Sequence, residues 1–359
     1  MDVITLCLLC HSLEWPTAFH FISNLLGVLL LIIQLNAIVV ISVKALFSEQ
    51  SIDLVMDSLE KIKFDYTEQI NSLNQVSSRK KSKNCIFVGS GDSYVAGLIA
   101  ENVSNHHCKC YSPVDLMRSK FMENMTYYFI SVTGRTRSNI EVARRATKAG
   151  AKTVAVTFDP TSELAKVCNE IYTLETSMTN NSTSYSTFTT NVVTCLELAG
   201  ISIPRKFQMW HRNGMDLVSR FNHVSFPKHV LHILGNDVFY PLAIYASLKM
   251  TEFFGVTTFP NKMEEFCHSP VFGIKPSHAI WILGRTEDTT SHKLGNLKNE
   301  FNFFELKNPD LLSELFESIF FLQGFMLLFC EKYDFTELKY VLMKKVLEVS
   351  SDIIYGNAT

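Results

Sequence analysis

Two short loops in the first half of the chain are rich in hydroxyl groups. Residues 89–93 read Gly-Ser-Gly-Asp-Ser, and residues 131–136 read Ser-Val-Thr-Gly-Arg-Thr. Each loop follows a short apolar segment and precedes a helical pattern, so each is predicted to join the end of a strand to a helix N-terminus. Unpaired N–H groups and the helix dipole favour an anion there. The predicted phosphate-binding residues are Gly91, Ser93, Ser131, Thr133, Gly134 and Thr136.

Two other interpretations of these loops compete with a metabolite-phosphate site: a nucleotide site and simple helix capping. A nucleotide fits poorly, because the chain has no GxxxxGK[ST] and Tyr94 stands where GxGxxG needs its last glycine. The hydroxyls could instead only cap helices. Either loop alone would favour capping, whereas two such loops at strand ends favour phosphate.

The second half offers ionisable residues at helical spacing. Lys249 and Glu252 lie three residues apart in a predicted helix, so they share one face. Read without further context, they are a surface ion pair, and His268 further along is a buried histidine bonded to backbone. The segment His106–Cys110 (HHCKC) resembles half of a zinc site, but no second ligand pair stands out, so a strand start is favoured and no metal or organic cofactor is expected.

The composition limits the class of protein. The chain has 359 residues, of which 47% are hydrophobic and 19% charged, enough for one large domain or two ordinary ones. A net charge of −2 gives no sign of nucleic-acid binding. Nine cysteines without a repeated spacing are typical of reduced, buried thiols, and a cytoplasmic location is expected.

The N-terminal segment is unusual. Residues 15–43 contain no Asp, Glu, Lys or Arg. This uncharged, largely apolar run is long enough to span a membrane. Glu14 precedes this run and Lys44 follows it, so such an anchor would leave the C-terminal part in the cytoplasm. Alternatively the start codon is set too early, because Met56 opens an ordinary amphipathic helix.

From residue 84 onward, strands alternate with helices, which predicts an α/β fold with parallel sheets covered on both faces. The expected organisation is an apolar segment at 1–50, a phosphate-binding domain at 51–202, a helical connector at 203–226 and a second domain at 227–359. Two long helices are predicted to close the chain, Leu311 to Phe329 and Phe335 to Val349. The apolar run inside the first is broken by Gln323 and Gly324, so a buried core helix is expected there rather than a span.

The two loops resemble the phosphosugar loops of the sugar isomerase (SIS) domain, which forms the isomerase half of glutamine–fructose-6-phosphate amidotransferase. The second loop of that family reads S-x-S-G-x-T, and Thr133 keeps the hydroxyl of the middle serine. Residues 242–270 are similar, without a gap, to the family segment ALEGALKLKE…GELKHGP. The resemblance therefore implies two tandem SIS domains of flavodoxin-like, three-layer architecture.

This resemblance also implies roles for individual residues. Lys249, Glu252, Glu265 and His268 fall on family positions with the same residue types. In the family, the glutamate at the position of Glu252 moves a proton between C1 and C2 of the sugar, and the histidine at the position of His268 helps to open the ring. Enediol chemistry needs a carboxylate base of this kind. Lys249 is expected to assist and Glu265 to support the site.

Some residues depart from the family pattern. Tyr245 replaces a family glutamate, and Val132 and Arg135 replace Gln and Glu in the second loop. No glutaminase domain is expected, and no cysteine follows Met1, so glutamine-fed ammonia transfer is not expected in this chain alone.

The sequence therefore predicts a phosphosugar isomerase, or an amino-sugar phosphate isomerase/deaminase that uses free ammonia. The substrate would be a hexose phosphate such as fructose 6-phosphate or glucosamine 6-phosphate, and the protein a homodimer by resemblance. Two alternatives stay open: an archaeal-type phosphoglucose/phosphomannose isomerase, and a non-catalytic phosphosugar-binding regulator.

Overall fold

A computed structural model describes residues 58–76, 84–174, 184–285, 293–296 and 300–356. Residues Asp57–Thr359 belong to one compact unit. The apolar segment 15–43 and the predicted boundary at residue 50 lie outside the described residues.

The first sheet is fully parallel and has the strand order β2-β1-β3-β4-β5. Its strands are β1 Cys85–Val88, β2 Lys109–Tyr111, β3 Thr126–Ile130, β4 Lys152–Thr157 and β5 Glu170–Thr173. The helices of this half are α1 Ser58–Gln75, α2 Asp92–Val103, α3 Pro113–Leu116, α4 Arg137–Lys148, α5 Glu163–Val167 and α6 Ser184–Leu198. Since β1 is followed by β2 on one side and β3 on the other, the strand order reverses direction between β1 and β3.

The second sheet is also parallel and repeats the same order with one strand fewer, β7-β6-β8-β9. Its strands are β6 Val230–Gly235, β7 Thr257–Asn261, β8 Ala279–Gly284 and β9 Glu300–Glu305. The remaining helices are α7 Phe207–Arg220, α8 Phe239–Phe254, α9 Met263–His268, α10 Leu311–Lys332, α11 Lys339–Leu342 and α12 Lys344–Tyr355, with a 3-10 turn at Pro270–Gly273.

The central strands of both sheets carry buried side chains on both faces, because successive side chains along a strand point to opposite sides and each side packs against a core. In β1, Phe87 joins the large core shared by the two halves, whereas Ile86 and Val88 join a separate core beneath α4. In β8, Trp281 joins the shared core and Ile280 a third one beneath α9. The predicted α/β fold with parallel sheets flanked by helices is confirmed.

Helix α10 forms the centre of the shared core. Its ring of Phe316 stacks on Trp210 of α7 at 4.8 Å, and Gln323 is fully buried in contact with α1 and α6. Among the described residues it is the one helix long and apolar enough to cross a membrane, but 78% of its apolar window is buried inside the protein. The helix is therefore the buried core helix that the sequence predicts.

Helix α1 ties the start of the described chain to this core. Its apolar side chains Leu59 and Ile62 are buried. Asp65 accepts hydrogen bonds from the backbone N–H groups of Tyr185 and Ser186 at 3.1 and 3.0 Å and also pairs with the Ser186 hydroxyl. These N–H groups in the first turn of α6 would otherwise need another acceptor.

The structure differs from the sequence prediction near the C-terminus. A helix was expected from Phe335 to Val349, but the backbone turns at Met343 and leaves two helices, α11 and α12, with no buried residue in either. Helix α7 occupies much of 203–226 and packs along α10, so this stretch contributes to the shared core.

We expect a shortened chain that begins at Met56 to fold with the stability of the full chain, since α1 and the described residues that it contacts are retained. A matched chain that begins at Asn84 lacks α1 and exposes the Asp65-capped end of α6, so its thermal midpoint should be much lower. Thermal unfolding followed by circular dichroism compares the two. Aggregation of the Met56 chain beside a well-behaved full chain would show that the preceding residues belong to this fold.

Candidate functional site: two hydroxyl-rich loops and a buried lysine

The two hydroxyl-rich loops lie side by side. Strands β1 and β3 are neighbours, with Val88 opposite Phe129, and both loops leave their carboxyl ends. The strand order reverses between these two strands, which is where open α/β sheets bind ligands. The structure thus brings together the loops that the sequence singles out.

The first loop exposes backbone at the start of α2. Gly91 has φ 56° and ψ −130°, a conformation that favours glycine, and a Cβ on it would meet no atom within 4 Å. Gly91 is the N-cap of α2 and no side chain caps this end of the helix. Ser93, 8% exposed, lies in the first turn. The arrangement suits a ligand that approaches the backbone closely and accepts hydrogen bonds.

The second loop is held by glycine and by its own hydroxyls. Gly134 has φ +63°, and a Cβ there would lie 2.1 Å from Oγ of Ser162, so this position needs glycine. Oγ of Ser131 and Oγ1 of Thr136 are 3.1 Å apart, and Thr133 is exposed. Thr136 is the N-cap of α4 but makes no side-chain capping bond. These hydroxyls are therefore not committed to helix capping.

Asn191 of α6 lies behind the first loop. It is 1% exposed, and its Nδ2 lies 3.5 Å from Oγ of Ser93, at the outer limit of a hydrogen bond. Its Oδ1 has no hydrogen-bond partner in the described part of the chain. Sequence reasoning missed this residue, because a polar residue in a helix gives no sign of which loop it will reach.

Helix α8 carries the candidate catalytic residues. Pro241 lies in its first turn, and Gly255, with φ 71°, ends it in the left-handed conformation. Nζ of Lys249 lies 2.7 Å from Oε2 of Glu252 on the same helix and 2.9 Å from Oδ2 of Asp92. Because Asp92 is the first residue of α2, the Lys249–Asp92 ion pair joins the second half of the chain to the first hydroxyl-rich loop.

The exposure of the three side chains shows how they are layered. The Lys249 side chain is 1% exposed, whereas those of Asp92 and Glu252 are 22% and 42% exposed. The ammonium thus lies beneath two carboxylates that a ligand can reach. Sequence reasoning predicted Lys249 and Glu252 but missed Asp92, since nothing in the chain links residues so far apart.

Burial and charge act on these groups in opposite directions. Burial lowers the pKa of Lys249, but the carboxylates of Asp92 and Glu252 together raise that pKa above its ordinary value. Burial is also the largest influence on Glu252 and raises the pKa of its carboxyl; Lys249 lowers that pKa, and Asp92 raises it again. The lysine therefore stays charged, and the glutamate is a stronger base than a solvated one.

Tyr245 lies one turn before Lys249, in the place of the family glutamate. Its ring stacks on Phe188 at 3.8 Å between centroids and lies 5.5 Å from Nζ of Lys249. Nε2 of Gln323 donates to its hydroxyl at 3.3 Å. With 1% exposure, Tyr245 supports α8 from within the core.

His268 and Glu265 lie apart from this ion set. Both are exposed on α9, and the His268 side chain, 72% exposed, pairs with Glu264 at 3.8 Å. Within the described residues, no hydrogen bond or ion pair joins His268 to Glu252, Lys249 or either loop. The structure thus joins Lys249 and Glu252 to the first hydroxyl-rich loop through Asp92, and it leaves His268 and Glu265 at the surface.

The segment His106–Cys110 is the part of the sequence that resembles half of a zinc site. In the described ranges no group of three or more His, Cys, Asp or Glu side chains is placed to hold a metal ion. Cys110 lies in β2, in agreement with a strand at this position, and Nδ1 of His106 pairs with Glu101 at 3.2 Å. This segment is part of the fold.

If the two loops bind one phosphate, Ser93→Ala and Thr133→Val should each weaken sugar-phosphate binding by about 1–3 kcal/mol, because each removes a donor to a charged group. Calorimetric titration with fructose 6-phosphate and glucosamine 6-phosphate measures the effect. Thr67→Val is the control, since Thr67 is an exposed hydroxyl on α1 outside both loops. Unchanged affinity in both loop variants would contradict the site.

Comparison with known proteins agrees with these observations. The SIS domain family matches residues 80–199. No curated protein matches the chain significantly.

Solved structures share the fold over most of the chain. The C-terminal domain of glucosamine-fructose-6-phosphate aminotransferase from Francisella tularensis is 16% identical, with a TM-score of 0.60 over 76% of this chain and 96% of that one. Glucosamine-6-phosphate deaminase from Thermotoga maritima is 17% identical, with a TM-score of 0.61 over 77% and 96%. Tagatose-6-phosphate ketose/aldose isomerase from Escherichia coli is 14% identical, with a TM-score of 0.59 over 76% and 93%. Residues 80–199, the part of the chain that matches the SIS domain family, carry the first sheet and both hydroxyl-rich loops.

Proposed function

We propose that the protein is a phosphosugar isomerase. It interconverts the aldose and ketose forms of a hexose phosphate such as fructose 6-phosphate, or isomerises and deaminates an amino-sugar phosphate such as glucosamine 6-phosphate. The observation that carries this proposal is the Asp92–Lys249–Glu252 ion set, which joins a candidate base to the phosphate-loop helix. The names of the similar Thermotoga deaminase and Escherichia isomerase support the same class of chemistry.

In this proposal the first half binds and the second half reacts. The backbone at Gly91 and Gly134 and the four loop hydroxyls hold the phosphate at the β1–β3 edge. The second sheet repeats the strand order of the first, so we propose that it is a second SIS copy that supplies α8. Fixing one end of the substrate in this way raises the effective concentration of the base at the other end.

The carboxylate of Glu252 carries the proton. It takes the proton from the carbon beside the carbonyl of the open-chain sugar, the C–H electron pair becomes the C=C bond of an enediol, and the carbonyl oxygen takes up a proton. Glu252 then returns its proton to the former carbonyl carbon, where the C=C electron pair forms the new C–H bond. The hydroxyl on the other carbon loses its proton and becomes the new carbonyl, which balances the proton taken up by the first oxygen. Burial raises the pKa of Glu252, which brings the base closer to the operating pH.

Lys249 contributes charge in this scheme. Because Lys249 stays protonated and its Nζ lies 2.7 Å from the base, its ammonium stabilises the negative charge that develops on the enediolate oxygens. The same contact fixes the orientation of the Glu252 carboxylate.

Product identification tests the function. Purified protein is incubated with fructose 6-phosphate, with and without ammonia, with glucosamine 6-phosphate and with mannose 6-phosphate. Turnover of the last would support the phosphoglucose/phosphomannose alternative. Tight binding of any of these sugars without turnover would instead support a phosphosugar-binding regulator.

Glu252→Gln keeps the shape of the side chain but cannot accept the proton. We expect kcat to fall by about 10²–10⁴-fold with little change in binding, because proton transfer occurs only in the transition state. Deuterium at C2 of glucosamine 6-phosphate should exchange with solvent in the wild type and stay in place in this variant, as followed by NMR. Glu141→Gln on the surface of α4 is the control. Wild-type exchange in Glu252→Gln would exclude this role.

We also propose a homodimer whose interface covers the site. His268 is largely exposed, so it can assist ring opening only if another surface encloses it. Helices α11 and α12 expose Leu342, Val346, Val349 and Ile353 by 61, 56, 54 and 72%. Helix α12 also reaches the second loop, where Arg135 lies 5.7 Å from the ring of Tyr355. A second copy would bury this apolar surface beside the phosphate loops.

Mixing two inactive variants tests whether His268 acts across this interface. Glu252→Gln and His268→Ala are purified separately, mixed and allowed to exchange subunits, and their turnover of cyclic sugar phosphates is compared with that of each alone. If His268 serves the neighbouring site, hybrid dimers regain activity because one of their two sites is intact. A sedimentation experiment that finds an active monomer would contradict the dimer proposal.

A cytoplasmic location for residues 57–359 is also proposed, with membrane attachment if the segment 15–43 is an anchor. The described cysteines are all free thiols, five of them buried and Cys267 exposed. Cell fractionation with and without carbonate extraction tests both possibilities; recovery in a secreted fraction would contradict them.

A further inference from the structure

Asp92 occupies the junction between the two parts of the candidate site. It follows Gly91, opens α2 and directly precedes Ser93, yet its Oδ2 accepts a hydrogen bond from Lys249 of α8 at 2.9 Å. Its other oxygen, Oδ1, is buried without a hydrogen-bond partner in the part of the chain described. A buried carboxylate oxygen without a partner is costly, which points to a role beyond helix formation.

The simplest role would be structural. An acidic residue in the first turn favours a helix through the dipole. That effect asks only for a negative charge near the end of α2, and a solvated one would suffice. It does not require a contact with an almost fully buried lysine from the other half of the chain.

The charges around Glu252 indicate a second role. The groups that act on it are Lys249 and Tyr245 of its own helix, Asp92 of α2 and Tyr340 of α11. Two carboxylates share one ammonium, so Asp92 withdraws part of the neutralising charge that Lys249 would otherwise give Glu252 alone. Without Asp92, the lysine would pair with Glu252 fully and weaken it as a base.

We propose that Asp92 is a positioning residue for proton transfer: it holds Lys249 between the two halves and keeps Glu252 basic. This rests on the proposed role of Glu252 as the base. Through this one side chain, the first hydroxyl-rich loop would affect the basicity of Glu252.

Asp92→Asn tests this role, because it preserves size and removes the charge. We expect the acid limb of the kcat/KM profile to move to lower pH and kcat at neutral pH to fall by about three- to tenfold, since a weaker base transfers the proton less readily. Affinity for glucosamine 6-phosphate should not fall. Asp92→Glu restores the charge and should return the limb toward its wild-type position. Glu163→Gln, an exposed first-turn acid of α5 paired with Lys166, is the matched control.

A readout without turnover separates this inference from the proposed function. In protein labelled with ¹³C-glutamate, the Glu252 carboxyl is assigned by its loss in Glu252→Gln and titrated. Its pKa should be lower in Asp92→Asn than in the wild type and unchanged in Glu163→Gln. If wild type turns over none of the sugars but this difference is found, the isomerase proposal fails and the coupling stands.

Two results would overturn the inference. One is an identical Glu252 titration in wild type and Asp92→Asn. The other is a loss of sugar-phosphate affinity as large as the loss of kcat with no movement of the pH profile, which would show that Asp92 only shapes the loop. If Asp92→Asn does not fold, the same titration in Asp92→Glu decides: a pKa lower than in the wild type would contradict the role of the charge.

Discussion

The buried ammonium of Lys249 is the constraint on which the candidate site depends. A charge with 1% exposure is costly unless it is paired, and its partners come from opposite halves of the chain, Asp92 from α2 and Glu252 from its own helix. Helices α2 and α8 must therefore stay in contact for the charge to remain satisfied. The same requirement also fixes the distance between the first hydroxyl-rich loop and the candidate base.

The shared core holds these helices in place. Tyr245, one turn from Lys249, stacks on Phe188 of α6 and binds Gln323 of α10, so α8 is fixed against both. Helix α6 in turn places Asn191 behind Ser93. Buried polar contacts thus connect α10, α8 and α6 with the first loop. Because these groups have few alternative partners, they favour one arrangement of the helices.

Much of the fold could be predicted from the sequence because local patterns determine it. Short apolar strands that alternate with helices indicate parallel sheets, and the hydroxyl-rich loops follow strands that are neighbours in space. Lys249 and Glu252 were predicted from the resemblance to the SIS family, and their spacing of three residues adds only that they share a helix face. The helix predicted at Phe335–Val349 was wrong in its bounds: Leu338 is buried in the shared core, but the apolar side chains from Leu342 to Val349 are exposed, so no core packing continues the helix through Met343.

Contacts between distant segments could not be predicted in this way. Asp92 and Lys249 are separated by 157 positions, and Asn191 and Ser93 by 98. No periodicity or spacing reports on such pairs, because they arise only when both sheets have formed and α2 lies against α6 and α8. The exposure of His268 is equally invisible in the sequence, where a histidine near family-like residues gives no measure of its surroundings.

The second sheet differs from the first in how the described polar groups at its edge are used. It has the same strand order, yet the polar groups at its corresponding edge are used internally. After β8, Arg285 forms an ion pair with the fully buried Glu314, and after β6, Oδ1 of Asn236 accepts a hydrogen bond from the backbone of Met263. A ligand there would have to displace bonds within the protein, whereas the first sheet presents uncapped helix starts and hydroxyls. The two sheets therefore share a topology but differ at this edge: the first presents uncapped helix starts and hydroxyls, and in the second β6 leads into α8, which contacts α2 through Lys249.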